Sequence, residues 1–159
     1  MKYKVRNANL NDLENLVEFI VAEANEAEGI HKASDKILRG IKAGLENPSI
    51  ARYWLLENEN QDPVGSVSVV KEWSDWNCAF YWWIQSMYLL PSHRGKGLMN
   101  TLLQEVKNVA MTEDAIELHL YVHRNNKRAI KAYQKSGFSD SDYDIMISQL
   151  RIALASGTL

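Results

Sequence analysis

Pro91-Ser92-His93-Arg94-Gly95-Lys96-Gly97-Leu98-Met99 follows an apolar run over residues 80–90 and opens a stretch of helical period. A strand that feeds a short glycine-rich turn and then a helix gathers backbone N–H groups at one point. The first helical amides have no carbonyl partner, and the helix dipole favours negative charge there. Gly95 and Gly97 carry no side chain, so an anion can come close to the backbone. Arg94 and Lys96 add positive charge. The turn suits the diphosphate of a nucleotide-like cofactor, although glycines at such a junction also serve as plain turn residues.

Two nucleotide fingerprints fail here. A P-loop needs Gly-Lys-Ser/Thr, and Thr101 comes too late after Lys96. A Rossmann turn needs a third glycine or alanine where the chain has Asn100, and it follows an early strand rather than the chain's second half. Glu117 lies at a suitable distance for a ribose carboxylate but stands alone.

Working outward, 159 residues suit one domain, here 1–150 with a tail at 151–159. Hydrophobic residues at 46% and charged residues at 24% fit a water-soluble globule. A net charge of -2 gives no nucleic-acid signal. Cys78 is the only cysteine, which rules out an intrachain disulfide and a cysteine-rich metal site. The absence of a long apolar run predicts no membrane span, and the polar start at Lys2 and Lys4 predicts a cytoplasmic protein.

Residues 3–7 read as a strand, and Asn9 or Asn11 can cap a helix with Leu13, Leu16, Val17, Ile20 and Ala24 on one face. Ser34 can cap a second helix with Ile37, Leu38, Ile41 and Leu45 inward, stopped at Asn47-Pro48. Residues 51–57 and 64–70 make a hairpin, 73–77 a loop, and 80–90 a long central strand apolar on both faces. The glycine turn leads to a helix with Leu98, Leu102, Val106 and Val109 inward. A strand at 115–122 places Ile116, Leu118, Leu120 and Val122 on one side; a helix at 126–136 ends at Gly137, and 138–149 supplies a last strand. The fold class is α/β, a twisted mixed sheet with helices on both faces.

This order resembles the GNAT superfamily of N-acetyltransferases over nearly the full length. That family's cofactor signature, Arg/Gln-x-x-Gly-x-Gly/Ala, reads here Arg94-Gly95-Lys96-Gly97-Leu98-Met99. Met99 departs from the small residue usual there and is expected to narrow the space beside the diphosphate. A second block, Asn-x-x-Ala-x-x-x-Tyr-x-x-x-Gly-Phe, is matched by Asn126, Ala129, Tyr133, Gly137 and Phe138. Glu72-Trp73-Ser74-Asp75-Trp76 and Trp82-Trp83-Ile84-Gln85-Ser86 look like one branch of the family and bring no substrate with them.

The resemblance implies direct acetyl transfer from acetyl-CoA to a primary amine, of small-molecule or protein origin, without a covalent enzyme intermediate. It places the pantetheine arm against the backbone of Met87, Tyr88 and Leu89 and beside Asn126. It places the diphosphate on the amides of Gly95, Lys96, Gly97, Leu98 and Met99. Tyr133 falls where the family carries an acid for the leaving thiolate; at helical spacing it could also simply pack, and the flanking block favours the acid. A backbone N–H near Met87 or Tyr88 would hold the oxyanion. Gln85 stands near the usual glutamate and can only orient a water. Glu23, Glu26 and Glu28 lie near the junction of the first two helices; Glu28 and Asp75 are the candidate bases, although each reads first as an ordinary solvated carboxylate.

His119 and His123 share a strand face at a spacing too long for a metal pair, so no metal is expected; His31 and His93 read as loop residues. Trp73, Trp76, Trp82 and Trp83 read as core or interface, and those beside Asp75 could receive a cationic amine. The competing functions are a non-catalytic acyl-CoA-binding module of the same fold and a Rossmann-type oxidoreductase. The resemblance also allows a homodimer.

Overall fold

The computed structural model describes residues 2–29 and 34–150, without the side chains of Ala27 and Glu28. The elements are β1 (Lys4–Asn7), α1 (Leu13–Glu28), α2 (Ser34–Glu46), β2 (Arg52–Glu57), β3 (Pro63–Ser74), β4 (Ala79–Leu89), α3 (Leu98–Met111), β5 (Ala115–Leu120) and α4 (Lys127–Lys135). The sheet order follows the chain, β1-β2-β3-β4-β5. The first four strands are antiparallel, and β5 lies parallel to β4 after the α3 crossover.

Alternation along the strands builds two cores, one on each face. Trp54, Leu56, Val67, Val69, Trp82 and Ile84 meet Leu98, Leu102, Leu103 and Val106 of α3. On the other face Leu55 and Tyr88 meet Leu16 and Phe19 of α1 and Ile41 of α2. Helices cover both faces here, so even Ser66 and Ser68, polar in the alternation, are buried. Leu38 departs from its expected inward position and is exposed. The adjacent turn of α2 instead buries Gly44, which has Tyr53 directly above it.

The decisive irregularity is in β4. Ser68 pairs with Ser86 while Val69 pairs with Ile84, so Gln85 is an extra residue, a bulge. Before it, Phe80, Trp82 and Ile84 face α3; after it, Met87 and Leu89 do. β3 stays paired with β4 as far as Leu89, but β5 pairs only from Phe80 to Ile84. Beyond Ile84 the β4 edge facing β5 is open.

Three expectations change. The strand β3 extends through Trp73 and Ser74, leaving only residues 75–78 as the turn. Residues 138–149 form no strand; Phe138 packs on the α3 core and the residues after it lie exposed beyond α4, with β5 unpaired on its outer side among the described residues. Ile116 is largely exposed although Leu118 and Leu120 pack on the core. The tail at 151–159 lies outside the described residues, as does His31.

One ion-pair fork ties β1, β2 and the entry to α1. Arg6 donates to both carboxylate oxygens of Asp12 at 2.8 Å and to Glu57 at 2.6 Å. Asp12 also accepts from the Asn9 backbone at 2.8 Å, closing a capping box. The Arg6 guanidinium holds the Asp12 carboxyl below the usual carboxylate range. Because the folded value is the lower one, this stabilisation is present at neutral pH and is lost as acid protonates the folded carboxylate. Asp12→Asn should cost about 2 kcal/mol at pH 7. In urea melts across pH, the difference from the parent should shrink as the pH drops below about 4.

Candidate functional site

The turn after β4 is shaped by two glycines. Gly95 and Gly97 have φ of 76° and 75°, a region that L side chains rarely adopt. A Cβ built on either meets nothing within 4 Å, so the backbone is bare on that side. Gly97 caps α3 without any side-chain hydrogen bond. The first amides of α3 therefore keep their donors for an outside acceptor. Met99, in the first turn of α3, is partly buried and packs against the α3 core.

Beside this cradle runs the open edge of β4. The Leu90 N–H bonds back to Val64 on β3, which leaves the Met87 and Leu89 groups for the other side. Two side chains meet them. Glu23 of α1 accepts from the Met87 N–H at 3.1 Å, and Arg94 donates through Nε to the Leu89 carbonyl at 2.8 Å. Arg94 is in turn clamped by Glu26, with Nη1 and Nη2 at 2.8 and 3.0 Å from the two carboxylate oxygens. The Tyr88 hydroxyl donates to the same carboxylate at 3.1 Å. The Arg94 guanidinium lowers the Glu26 pKa. Arg94 thus organises the strand edge, while Lys96 folds onto the Ser92 carbonyl at 3.0 Å.

Tyr133 reaches this place from α4. Asn126 caps that helix by accepting from the Ala129 N–H at 3.0 Å. Tyr133 packs edge-on against Phe138 at 5.6 Å. Burial pushes its phenol up to about 12, and the carboxylate of Glu23 adds to the shift. A phenol so placed stays protonated at neutral pH and can give a proton. Ser136, at the end of α4, hydrogen-bonds Asn100 at 2.6 Å and so fixes α4 to the start of α3.

The family model for the acetyltransferase (GNAT) family matches residues 14–138, which span α1 through Phe138 and include every group just described. The chain belongs to the GNAT acetyltransferase family. A possible acetyltransferase from Clostridium difficile 630 shares the fold with a TM-score of 0.87 and 28% identity, over 95% of this chain and 99% of that one. The thialysine N-epsilon-acetyltransferase of Bos taurus is 28% identical over 144 residues, 86% of this chain and 84% of that protein. The spermidine N(1)-acetyltransferase of Thermoplasma acidophilum is 36% identical over 58 residues, and the match spans only 36% of that relative's length.

This GNAT chain gathers some of the expected site residues and separates others. Gln85, Met87, Tyr88, Leu89, Arg94 and the glycine turn lie along the open edge, and Tyr133, on the helix that Asn126 starts, is near enough to feel the charge of Glu23. Asp75 is not with them. It sits in the β3–β4 turn, eight strand residues from Met87 measured at Ala79, or roughly 25 Å along the strand. Trp73 and Trp76 stand near that turn, the latter 97% exposed. Glu28 ends α1, and its side chain lies outside the described residues.

Two features were not anticipated. Glu23 reaches the Met87 amide; its signal was the three-residue spacing from Glu26, which puts both carboxylates on one helical face toward β4. Trp83 stacks on Tyr121 at 4.7 Å and meets His119 edge-on at 4.7 Å, and Tyr81 stacks on His119 at 4.6 Å. This aromatic row lies on the face opposite Trp82. Glu72 accepts from the Trp83 indole, and Glu117 pairs with His119 at 2.6 Å. The aromatic–carboxylate pairing expected around Asp75 occurs here instead.

Proposed function

We propose that the chain is an acetyl-CoA-dependent N-acetyltransferase that moves the acetyl group directly to a primary amine. The observation that carries this reading is the open edge of β4, which runs from the bulge at Gln85 to a bare glycine turn and has Tyr133 beside it. An extended pantetheine arm would add to that edge like a strand, and the diphosphate would end on the amides of Gly95 to Met99. Nδ2 of Asn126 is the half of that amide not used as the cap, and it would meet the arm.

The chain's own groups account for the transfer. With the arm in the gap, the Met87 N–H passes from Glu23 to the thioester oxygen and stabilises the negative charge that develops there. Glu23, displaced from the amide, faces the incoming amine and takes its proton. Nitrogen bonds to the acyl carbon, the C–S bond breaks, and the sulfur takes a proton from Tyr133, whose phenolate is restored by the second proton released from the acylated nitrogen. The products are an acetamide and free CoA. Gln85 at the bulge orients a water or the acceptor. The acceptor is a cationic amine drawn along the Tyr81–Trp83–His119–Tyr121 row, with Glu72 and Glu117 at its margins. The amine substrates in the names of the two matched relatives support the same class.

Calorimetry with acetyl-CoA and a free-CoA release assay over a panel of amines test this together. The parent should bind acetyl-CoA and turn over a polycationic or lysine-like amine. Glu23→Gln should keep acetyl-CoA binding within a few-fold and lose about a hundredfold in kcat, recovering part of it at high pH where the amine is already neutral. Binding without turnover on any amine would favour the acyl-CoA-binding module.

A further inference from the structure

We infer that the acceptor is a long α,ω-diamine taken at two points, its reacting nitrogen at Glu23 and its second ammonium between Glu72 and Glu117. The inference rests on the acetyl transfer proposed above and adds the seat that measures the acceptor's length. In the strand register Glu72, Tyr81 and Glu117 stand in one row across β3, β4 and β5, on one face of the sheet. Both carboxylates are exposed and only half used. The Trp83 indole donates to Oε2 of Glu72, and His119 meets Oε2 of Glu117 at 2.6 Å. Among the described residues neither Oε1 has a hydrogen bond, and no lysine or arginine pairs with either group. Two carboxylates without a counter-charge, set beside aromatic rings, favour an organic cation.

The stretch from this row to Met87 has the opposite character. On β4 it carries Trp83, stacked on Tyr121 at 4.7 Å, and then the neutral Gln85 and Ser86. Apart from the bulge residue, Met87 is three strand steps from Trp83 and five from Tyr81. The amide that holds Glu23 is therefore roughly 10 to 17 Å from the far seat, measured along β4. A methylene chain suits the aromatic stretch, and a charge suits each end. An amine with one nitrogen would leave Glu72 and Glu117 unpaired. A diamine gains binding energy from that remote end and can spend it on orienting the reacting nitrogen.

The test uses the full chain with α,ω-diamines of increasing length beside n-alkylamines of equal length. Parent kcat/KM should peak at an intermediate diamine, roughly five to nine methylenes, at least tenfold above the matching alkylamine. E72Q/E117Q should abolish this preference, chiefly through KM. E72D draws the carboxylate back by one methylene, so it should keep part of the preference and move the peak to a longer diamine. A Glu72 that only supported the fold would leave the peak in place. Calorimetry of the best diamine with the CoA complex reads the same seat without turnover, and E72Q/E117Q should weaken that binding at least tenfold. Diamines acetylated no better than alkylamines, or a preference that survives E72Q/E117Q, overturn the inference and leave the transferase standing. Diamine binding that needs Glu72 and Glu117, with no amine acetylated, overturns the transfer and leaves the cation seat standing.

Discussion

Tyr133→Phe should lower kcat about a hundredfold with little change in acetyl-CoA affinity, the cost of removing a positioned general acid. The substitution keeps the ring that packs against Phe138 and deletes only the hydroxyl. Stability should therefore be preserved, and a melting curve beside the steady-state kinetics checks it. The pH profile separates acid chemistry from packing. With its pKa pushed up to about 12, the phenol stays protonated throughout the range in which an amine loses its proton. Parent kcat/KM should climb as the acceptor becomes neutral and show no descending limb below about pH 10. The variant should have the same ascending limb at a uniformly lower rate. A Phe variant with parental kcat would leave Tyr133 as a packing residue only.

The second large effect is expected at the glycine turn. Gly97→Val places a branched side chain at φ 75°, which costs about 1–2 kcal/mol in backbone strain and more for a branched residue. It also occupies the bare side of the turn where the diphosphate would sit. Acetyl-CoA affinity should fall at least tenfold, about 1.4 kcal/mol, by calorimetry. Gly97→Ala should lie between parent and Val. Desulfo-CoA, which keeps the diphosphate and lacks the thiol, should lose affinity in parallel. An unchanged affinity for it in the Val variant would place the diphosphate elsewhere.

Much of the fold was legible because hydrophobic period and turn chemistry agree along most of the chain. The alternation of Val67 and Val69 with Ser66 and Ser68, the helical spacing of Leu98, Leu102 and Val106, and the Gly137 stop each predict the observed element. The cradle was legible because glycines with positive φ leave a signature between a strand and a helix. The bulge at Gln85 was hidden: a strand apolar on both sides reads the same with or without an extra residue. Glu23 was hidden for a related reason. Carboxylates near the end of one helix look alike until the fold shows that Glu23 meets a backbone amide and Glu26 a hydroxyl and a guanidinium. The strand expected at 138–149 is absent from the structure: Tyr143, Ile145 and Ile147 suggest alternation, but Met146 interrupts it and no residue of the segment joins the sheet. Asp75 misled because its tryptophan neighbours suggested a pocket, whereas the hairpin carries that turn away from the open edge.

The extra residue in β4 has one more consequence. It divides the strand into two reading frames. Upstream, even-numbered positions such as Trp82 and Ile84 must be apolar and closely fitted, and odd-numbered ones point to the opposite face. Downstream the rule inverts, and the odd positions Met87 and Leu89 join the α3 core. A change among the aromatic side chains ahead of the kink therefore leaves the outward-facing amides of Met87 and Leu89 behind it in register.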